Sequence, residues 1–345
     1  MGQSGRMLAQ SAFKANIPTI VIDQFGDQDT QHYADECITL PKFSDKAILE
    51  AVERSWEKYK FPGLILSSGF ENRIDLIKKL ADQYPMSGND FRTVSSVKDP
   101  VYLSDHLDQL EVNHPETRLS PPDHGKWLVK QRGACGGDHI VWWDEKKTYP
   151  ATHYFQAFKQ GKTCSVVFLA AVEKAEIIGI NQIWTENETS FRFGGAVTFN
   201  DFPVYEALKK IVKKISCSLN LTGLCGLDFV LDESDQVHVL EINPRPVSTF
   251  DLHESKTGSL FLSHIEACDG QIHFTPKKDL NYFAKKIAYA RKDLGPLERC
   301  WPDWVSDIPK MGDCIQQGNP VCTVYSEASS TDKALKLVHN RDKEL

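Results

Sequence analysis

The sequence lacks a long apolar run, an excess of positive charge and closely paired cysteines. Its apolar runs, such as residues 166–172, are far shorter than the roughly 20 residues of a membrane-spanning helix. No charged-then-apolar segment opens the chain, so we expect no secretory signal. The formal net charge of −7 gives no basic surface for nucleic acid. We therefore expect a cytoplasmic protein with neither a membrane nor a nucleic-acid partner.

The nine cysteines are scattered, and no two have the C-x-x-C spacing. This excludes a zinc ribbon and gives no disulfide framework, so free thiols are expected. No internal repeat is visible. The 345 residues, of which 41% are hydrophobic and 25% charged, suit a globular protein of two or three structural units.

Helix and strand patterns alternate over the first 92 residues, which predicts a doubly wound α/β sheet. The helices are expected at 4–16, 45–58 and 71–84, and the strands at 19–23 and 61–68. Residues 1–6 resemble the glycine-rich turn that follows a first strand. That strand is therefore either missing or lies upstream of the sequence start.

From residue 99 the pattern changes to α+β. We expect a helix at 101–110, then a hairpin of strands 127–130 and 140–143 joined by a glycine-rich loop. Strands of a second sheet are expected at 154–158, 163–171 and 175–180. An amphipathic helix at 204–219 precedes a strong hairpin of strands 223–231 and 237–242. The last 75 or so residues carry no functional assignment.

The last hairpin brings three oxygen-bearing side chains together. Asp228 lies on its first strand, and Glu241 and Asn243 lie two apart on its second strand, so they share a face. Carboxylate and amide oxygens suit a hard cation such as Mg²⁺. Arg245 continues this face, and its fork suits a phosphate or a carboxylate. The alternative is that these are solvated residues of a hairpin.

Lys130 and the glycine loop form a second candidate element. Lys130 ends an apolar strand, where its charge could reach a phosphate. Gly133, Gly136 and Gly137 allow backbone N–H groups to fold over phosphates, although structural glycines in a turn are the alternative. The loop is not a Walker A motif, because it does not continue into Gly-Lys-Ser/Thr.

These residues resemble the ATP-grasp superfamily over about residues 98–265. The features at 2–6, 23–30, 69–71 and 318–324 resemble predicted carboxylate ligases of methylotrophs and methanogens. The resemblance implies a doubly wound pre-ATP-grasp domain followed by a two-lobed ATP-grasp fold. The expected domains are 1–92, 93–152 with the glycine lid, 153–268 with the metal site, and a C-terminal extension at 269–345.

The resemblance also implies roles for residues. Asp228, Glu241 and Asn243 would bind Mg²⁺ or Mn²⁺, since the spacing of 241 − 228 = 13 matches the family. Lys130 would contact the phosphates of ATP, and Arg245 the terminal phosphate or an acyl phosphate. The hinge between the lobes would contact the adenine through Gln156, Ala157, Phe158 and Lys159.

The chain departs from the family pattern at two positions. Pro100 occupies the place of an earlier phosphate-binding lysine, and we do not assign that role to Lys98. Thr163 occupies the place of the ribose-binding glutamate. Both departures bear on nucleotide affinity and orientation more than on the fold.

The implied function is a Mg-ATP-dependent ligase. It would activate a small carboxylic acid as an acyl phosphate for attack by an amine, or less often a thiol, in a pathway such as C1-carrier cofactor synthesis. Alternatives are bicarbonate activation of the biotin-carboxylase kind, a non-catalytic ATP-binding protein and, more weakly, an NAD-binding protein. The sequence leaves open whether the protein is a homo-oligomer.

Four further residues keep two interpretations each. Glu71 is a substrate-binding or a structural residue, and Arg192 is a solvated loop residue or a ligand of the acid substrate. Cys135 is expected to be an inert small residue and not a reactive thiol. His139 is expected to be structural.

Overall fold

The structure, a computed structural model, describes residues 1–254, 258–274 and 281–345. Its first part contains six helices and two strands in the described chain up to Gln109. They are α1 (Arg6–Lys14), β1 (Ile20–Asp23), α2 (Gln28–Tyr33), β2 (Glu36–Thr39), α3 (Asp45–Tyr59), α4 (Ile74–Gln83), α5 (Phe91–Lys98) and α6 (Pro100–Gln109). Helices and strands therefore alternate as far as α3, and α3 to α6 then follow one another without a full strand between them in this described part of the chain.

Strands β1 and β2 pair in parallel, and extended segments continue the layer beyond them. The Gly2 N–H donates to the Ile22 carbonyl at 3.1 Å, and the Ser67 N–H donates to the Met1 carbonyl at 2.8 Å. The strand predicted at 61–68 is only an extended segment with one bridge, between Leu64 and Met86. It forms no full strand because its neighbour on the other side is the short segment at residues 1–3.

A four-stranded antiparallel sheet follows, in the order β3-β6-β4-β5. Its strands are β3 (Thr117–Arg118), β4 (Trp127–Gln131), β5 (Ile140–Trp142) and β6 (His153–Ala157). The expectation that strand 154–158 belongs to the second sheet is wrong, because β6 pairs with β4 from Trp127 to Gln131. Val129 and Phe155 bury their side chains together with Trp127 in a small core of this sheet.

The large sheet has eight strands in the order β11-β10-β7-β8-β9-β12-β14-β13. The chain supplies them as β7 (Lys162–Ala171), β8 (Lys174–Thr185), β9 (Phe193–Thr198), β10 (Gly223–Leu231), β11 (Val237–Asn243), β12 (Tyr282–Tyr289), β13 (Val305–Ser306) and β14 (Pro320–Ala328). The C-terminal residues therefore extend this sheet, since β12 pairs with β9.

Three further helices cover the large sheet: α7 (Tyr205–Ser218), α8 (Leu260–Cys268) and α9 (Thr331–Glu344). In α7, Leu208, Val212 and Ile215 recur at helical spacing and are all buried in the main core. None of the described helices is long and apolar enough to span a membrane.

The start of α6 fixes one end of the candidate site. Asp99 is its N-cap, and Oδ1 accepts from the N–H groups of Val101 and Tyr102 at 3.0 and 2.9 Å. Pro100 takes the first helical position, where its missing N–H costs nothing. This cap ends α5 at Lys98, immediately before the turn.

Candidate active site

The two strands of the edge hairpin place the predicted metal ligands together. Asp228 lies directly opposite Glu241, and the pairing shifts at a bulge after Asp228. The Asn243 Nδ2 donates to Asp228 Oδ2 at 3.3 Å and to Glu241 Oε1 at 3.0 Å. All three side chains therefore meet at one point, and the bulge is what puts Asp228 on the face of Glu241 and Asn243.

The electrostatics of this point favour a cation. Burial and the charge of Glu241 raise the pKa of Asp228 to about 8. Burial opposes the ionisation of Glu241, but Lys98 and Lys130 lower its pKa to about 2. In this half-buried carboxylate pair only one group ionises readily, and a divalent cation would let both groups ionise.

The side-chain oxygens of Asp228, Glu241 and Asn243 fit Mg²⁺ if the Asn243 amide rotates by half a turn. Asn243 now directs its nitrogen at the carboxylates, and a half-turn of the amide would direct Oδ1 there instead. Among the described residues, no three His, Cys, Asp or Glu side chains form a metal-binding group. The protein ligands would therefore be the two carboxylates and the Asn243 amide, and phosphate oxygens or water would complete the shell.

Lys98 lies in this site, although it was assigned no role from the sequence. Its Nζ donates to Asn243 Oδ1 at 2.8 Å and lies 4.0 Å from Glu241 Oε2. The signal was present in Lys98-Asp99-Pro100, because an Asp-Pro helix start fixes the direction of the preceding residue. Pro100 is therefore a helix start, and Lys98, two residues before it, contacts the predicted metal ligands.

Lys130 faces the site from the small sheet. Its Nζ donates to Gln156 Oε1 at 2.7 Å, and both side chains are buried. Burial lowers the pKa of Lys130, while Glu241 and Asp228 act in the opposite direction. The Gln156 amide also donates to the Leu240 carbonyl at 3.4 Å, which links the small sheet to β11.

Arg245 does not bond to the metal ligands. It pairs instead with the buried Glu71 through Nε and Oε1. The other carboxylate oxygen of Glu71 accepts from the N–H groups of Gly69 and Phe70 at 2.8 and 3.0 Å. Burial acts against ionisation of Glu71, but Arg245 and then Lys98 hold its pKa below the usual value. Glu71 thus orients Arg245 across the domain junction.

The glycine loop lies against both neighbouring parts of the protein. A Cβ on Gly133 would lie 3.0 Å from the Glu71 carbonyl oxygen, and one on Gly137 would lie 2.0 Å from that of Phe191. The Gly136 carbonyl accepts from the Phe193 N–H at 2.9 Å. The loop is therefore packed down like a closed lid.

A cavity that is partly open to solvent lies beside the predicted metal ligands. Its walls come from α5, α6, the small sheet and β11, and they include Lys98, Gly133, His139, Gln156 and Glu241. The buried His139 Nδ1 has no partner among the described residues. His139 was expected to be structural, but its position on the cavity wall makes it a candidate for ligand contact.

The other predicted hinge residues lie outside this cavity. The N–H groups of Ala157 and Phe158 already donate to the carbonyls of Glu116 and Lys126. Lys159 pairs with Asp232 at 3.0 Å. Thr163 is exposed on β7, opposite Val230 of β10.

Two more predicted positions have defined contacts. Arg192 bonds to Glu186 and to the Gly318 carbonyl, so it is neither a solvated residue nor free to bind an acid. Cys135 in the lid lies 3.7 Å from the Gln3 side chain, and burial raises the pKa of its thiol. An inert thiol is consistent with that environment.

The sequence profile of the ATP-grasp domain matches residues 97–249. This segment is an ATP-grasp domain. It contains the glycine lid, the hinge and all three predicted metal ligands.

Solved structures share the fold over almost the whole chain. The L-amino acid ligase from Bacillus licheniformis has a TM-score of 0.73 at 14% identity, with 99% of this chain and 95% of that chain covered. The N5-carboxyaminoimidazole synthetase from Staphylococcus aureus, complexed with ADP, has a TM-score of 0.74 at 16% identity, with the same shares covered. The biotin carboxylase domain of the Hydrogenobacter thermophilus 2-oxoglutarate carboxylase gives 0.77 at 12% identity, with 96% and 86% covered.

One protein with sequence similarity is an uncharacterized protein of Methanocaldococcus jannaschii. It is 25% identical over 111 residues, which are 32% of this chain. The match spans only 27% of that protein's length.

Proposed function

We propose that the protein is a Mg-ATP-dependent ligase that activates a carboxylic acid as an acyl phosphate and transfers the acyl group to an amine. One observation carries this proposal. The predicted metal ligands Asp228, Glu241 and Asn243 meet beside Lys98. Arg245 lies two residues after Asn243, just beyond the end of β11. An ATP-grasp domain with two carboxylates and two cationic side chains at one junction suits phosphoryl transfer to a carboxylate.

The protein's own residues would do most of the work by positioning. Asp228, Glu241 and Asn243 would hold Mg²⁺, which supplies charge neutralisation on the phosphates. Lys98 and Lys130 would hold the phosphate oxygens. The packed lid would exclude water from an acyl phosphate.

Two displacements complete the proposed reaction. A carboxylate oxygen of the acid attacks the terminal phosphorus of ATP, and the bond from that phosphorus to the ADP oxygen breaks. The amine nitrogen then attacks the acyl carbon, phosphate leaves with its bonding electrons, and the nitrogen loses a proton. No side-chain nucleophile is needed, because catalysis rests on positioning and electrostatics. Arg245 would bind the carboxylate and then the acyl phosphate.

The likeness to an L-amino acid ligase supports an amine as the acceptor. The placement in C1-carrier cofactor synthesis rests on the resemblance to methylotroph and methanogen proteins alone. Bicarbonate as the acid is a second candidate, supported by the likeness to a biotin carboxylase domain that was crystallised with MgADP and bicarbonate.

The test is phosphate release from Mg-ATP, screened across carboxylic acids, bicarbonate and amines. We expect release that requires one acid and one amine together. Release with bicarbonate alone would favour the second candidate, and ATP binding without release in any mixture would show a non-catalytic protein.

Glu241→Ala provides the check on the metal site. We expect a folded protein without ATP turnover, because the remaining carboxylate and amide cannot hold the cation. Glu233→Ala, in the exposed turn of the same hairpin, is the matched control and should keep full turnover. Normal turnover in Glu241→Ala would disprove the metal assignment.

A further inference from the structure

A second cavity, partly open to solvent, lies on the N-terminal side of Arg245. One wall comes from residues 66–71 and 86–94 of the N-terminal part, and the opposite wall is formed by Pro244, Arg245 and Pro246.

Two polar side chains of this second cavity, Asn89 and His264, are already paired. Asn89 Nδ2 donates to the carbonyls of Thr222 and Pro244 at 2.9 and 3.0 Å. His264 bonds through both ring nitrogens, to the Leu224 N–H at 2.8 Å and to the Ser87 carbonyl at 3.1 Å. The surface left for a ligand is mainly hydrocarbon, from Leu66, Phe70, Ile77, Met86 and Val94.

A cation lies at the rim of this apolar space. Arg245 uses Nε for Glu71 and Nη1 for the Pro246 carbonyl at 3.1 Å. Its Nη2 has no hydrogen-bond partner in the part of the chain that the structure describes. A guanidinium with a spare donor beside an apolar cavity suits a carboxylate that carries an apolar body.

Helix α5 separates the two cavities. Val94 lines the second cavity, and Val97 and Lys98, about one turn later, line the first. Arg245 lies two residues after Asn243. A carboxylate on Arg245 would therefore lie beside the point where the metal ligands and Lys98 meet.

We propose that the second cavity binds the apolar body of the carboxylic acid substrate while Arg245 holds its carboxylate. This inference rests on the proposed ligase function and names the class of acid: a monocarboxylate with a compact aliphatic or aromatic body. A diacid is disfavoured, because its second carboxylate would be buried against hydrocarbon without a partner.

The experiment measures binding of matched acids by calorimetry to the full-length protein with Mg²⁺ and a non-hydrolysable ATP analogue. The probes are 4-methylpentanoate against glutarate, and L-leucine against L-glutamate. We expect the apolar member of at least one pair to bind about tenfold or more tightly than its partner. Equal binding, tighter binding of the diacid, or no binding by any probe would overturn the proposal.

Two substitutions on one helix supply the control. Val94→Phe fills the second cavity and should weaken binding of the apolar acid at least about tenfold, with little change for the ATP analogue. Val97→Phe, on the wall of the first cavity, should weaken binding of the ATP analogue and change the affinity for the apolar acid little. Met86→Phe, at a half-buried position, repeats the test if Val94→Phe does not fold.

An unchanged affinity for the apolar acid in both Val94→Phe and Met86→Phe would overturn the proposal. This readout needs no turnover. Failure of the ligase function would appear separately, as an absence of acid-dependent phosphate release.

Discussion

Lys98 lies between two acidic groups on either side of the domain junction. It donates to Asn243, approaches Glu241 and lowers the pKa of Glu71 as well as that of Glu241. From this position its ammonium group would stabilise negative charge that develops on a phosphate near the predicted metal ligands. Of the residues that had no role assigned from the sequence, Lys98 changes the description of the candidate site most.

Lys98→Met should lower kcat for phosphate release by about 100-fold, because one preorganised cation at developing charge has effects of that order. The fold should persist, since Met retains most of the stem volume. Lys46→Met, on a side chain that is 88% exposed, should have no effect on the rate. Equal rates for Lys98→Met and the wild type would show that Lys98 does not contact the nucleotide.

His264 gives a prediction for stability at low pH. Burial lowers its pKa from 6.5 to about 4 in the folded protein, where the neutral ring bonds to Leu224 and Ser87. Between these values the unfolded state binds the proton more readily, so the free energy of unfolding falls as pH drops from 6.5 towards 4. The loss is about 3 kcal/mol at most, from 1.36 kcal/mol per pKa unit.

Urea unfolding at several pH values measures this loss. His264→Gln keeps an acceptor for Leu224 and a donor for Ser87 but cannot titrate. Its stability should therefore fall less steeply than that of the wild type over the same pH interval. Parallel curves would contradict the assignment of this pH dependence to His264.

At the scale of elements, the end of α5 and the start of α6 together determine the position of Lys98. Asp99 caps α6 and ends α5 in the same turn, and the side chain of Lys98 leaves the backbone at that turn. The edge hairpin presents the metal ligands to the same place. Two short local motifs therefore set the distance between a lysine and the carboxylates it faces.

Asp99→Ala should cost about 1 kcal/mol of stability through the lost cap and a larger loss of turnover through displacement of Lys98. Asp90→Ala removes the cap at the other end of α5, where the side chain accepts from the Thr93 N–H at 2.7 Å. It should cost similar stability and leave turnover nearly intact. Denaturation and phosphate release on both variants separate the two effects, and equal turnover losses would refute the positioning role.

At the scale of the whole molecule, the glycine lid joins the small sheet, the N-terminal part and the large sheet. Gly133 packs on Glu71 and Asn72, whereas Gly137 packs on Phe191. Buried ion pairs hold the other side of the junction, where Arg6 of α1 bonds to Asp251 and Asp307. The relative position of the three parts is thus set by contacts between distant segments.

Gly137→Ala should weaken turnover strongly, because its Cβ would lie 2.0 Å from the Phe191 carbonyl oxygen and prevent the lid from packing down. Gly136→Ala is the matched control. It has a similar positive φ, +82° against +86°, but no atom within 4 Å of the new Cβ. Both variants share the backbone strain, so only the difference in their kcat and KM for ATP reports lid docking. Identical kinetics would show that the packed lid is not the active arrangement.

The sequence by itself determined most of the local elements and predicted the metal ligands. The periodicity of α3 and α7, the turn of the edge hairpin and the spacing of Asp228 from Glu241 are local properties, because residues close in the chain fix them. The short turn fixes the pairing from Leu231 with Val237 as far as Phe229 with Val239, but the bulge that brings Asp228 opposite Glu241 was not predicted. The matched segment at 97–249 agrees with that interpretation.

Only the tertiary structure decided which distant segments meet. Strand β6 joined the small sheet, the C-terminal strands joined the large sheet, and Glu71 paired with Arg245 across 174 positions of sequence. No local pattern encodes such choices, because strand pairing depends on which edge is free and on how the packed faces complement each other. The same reason applies to Lys98. The Asp99 cap of α6 can be recognised in the sequence, but Lys98 reaches Asn243 only because α5 packs against the hairpin of β10 and β11.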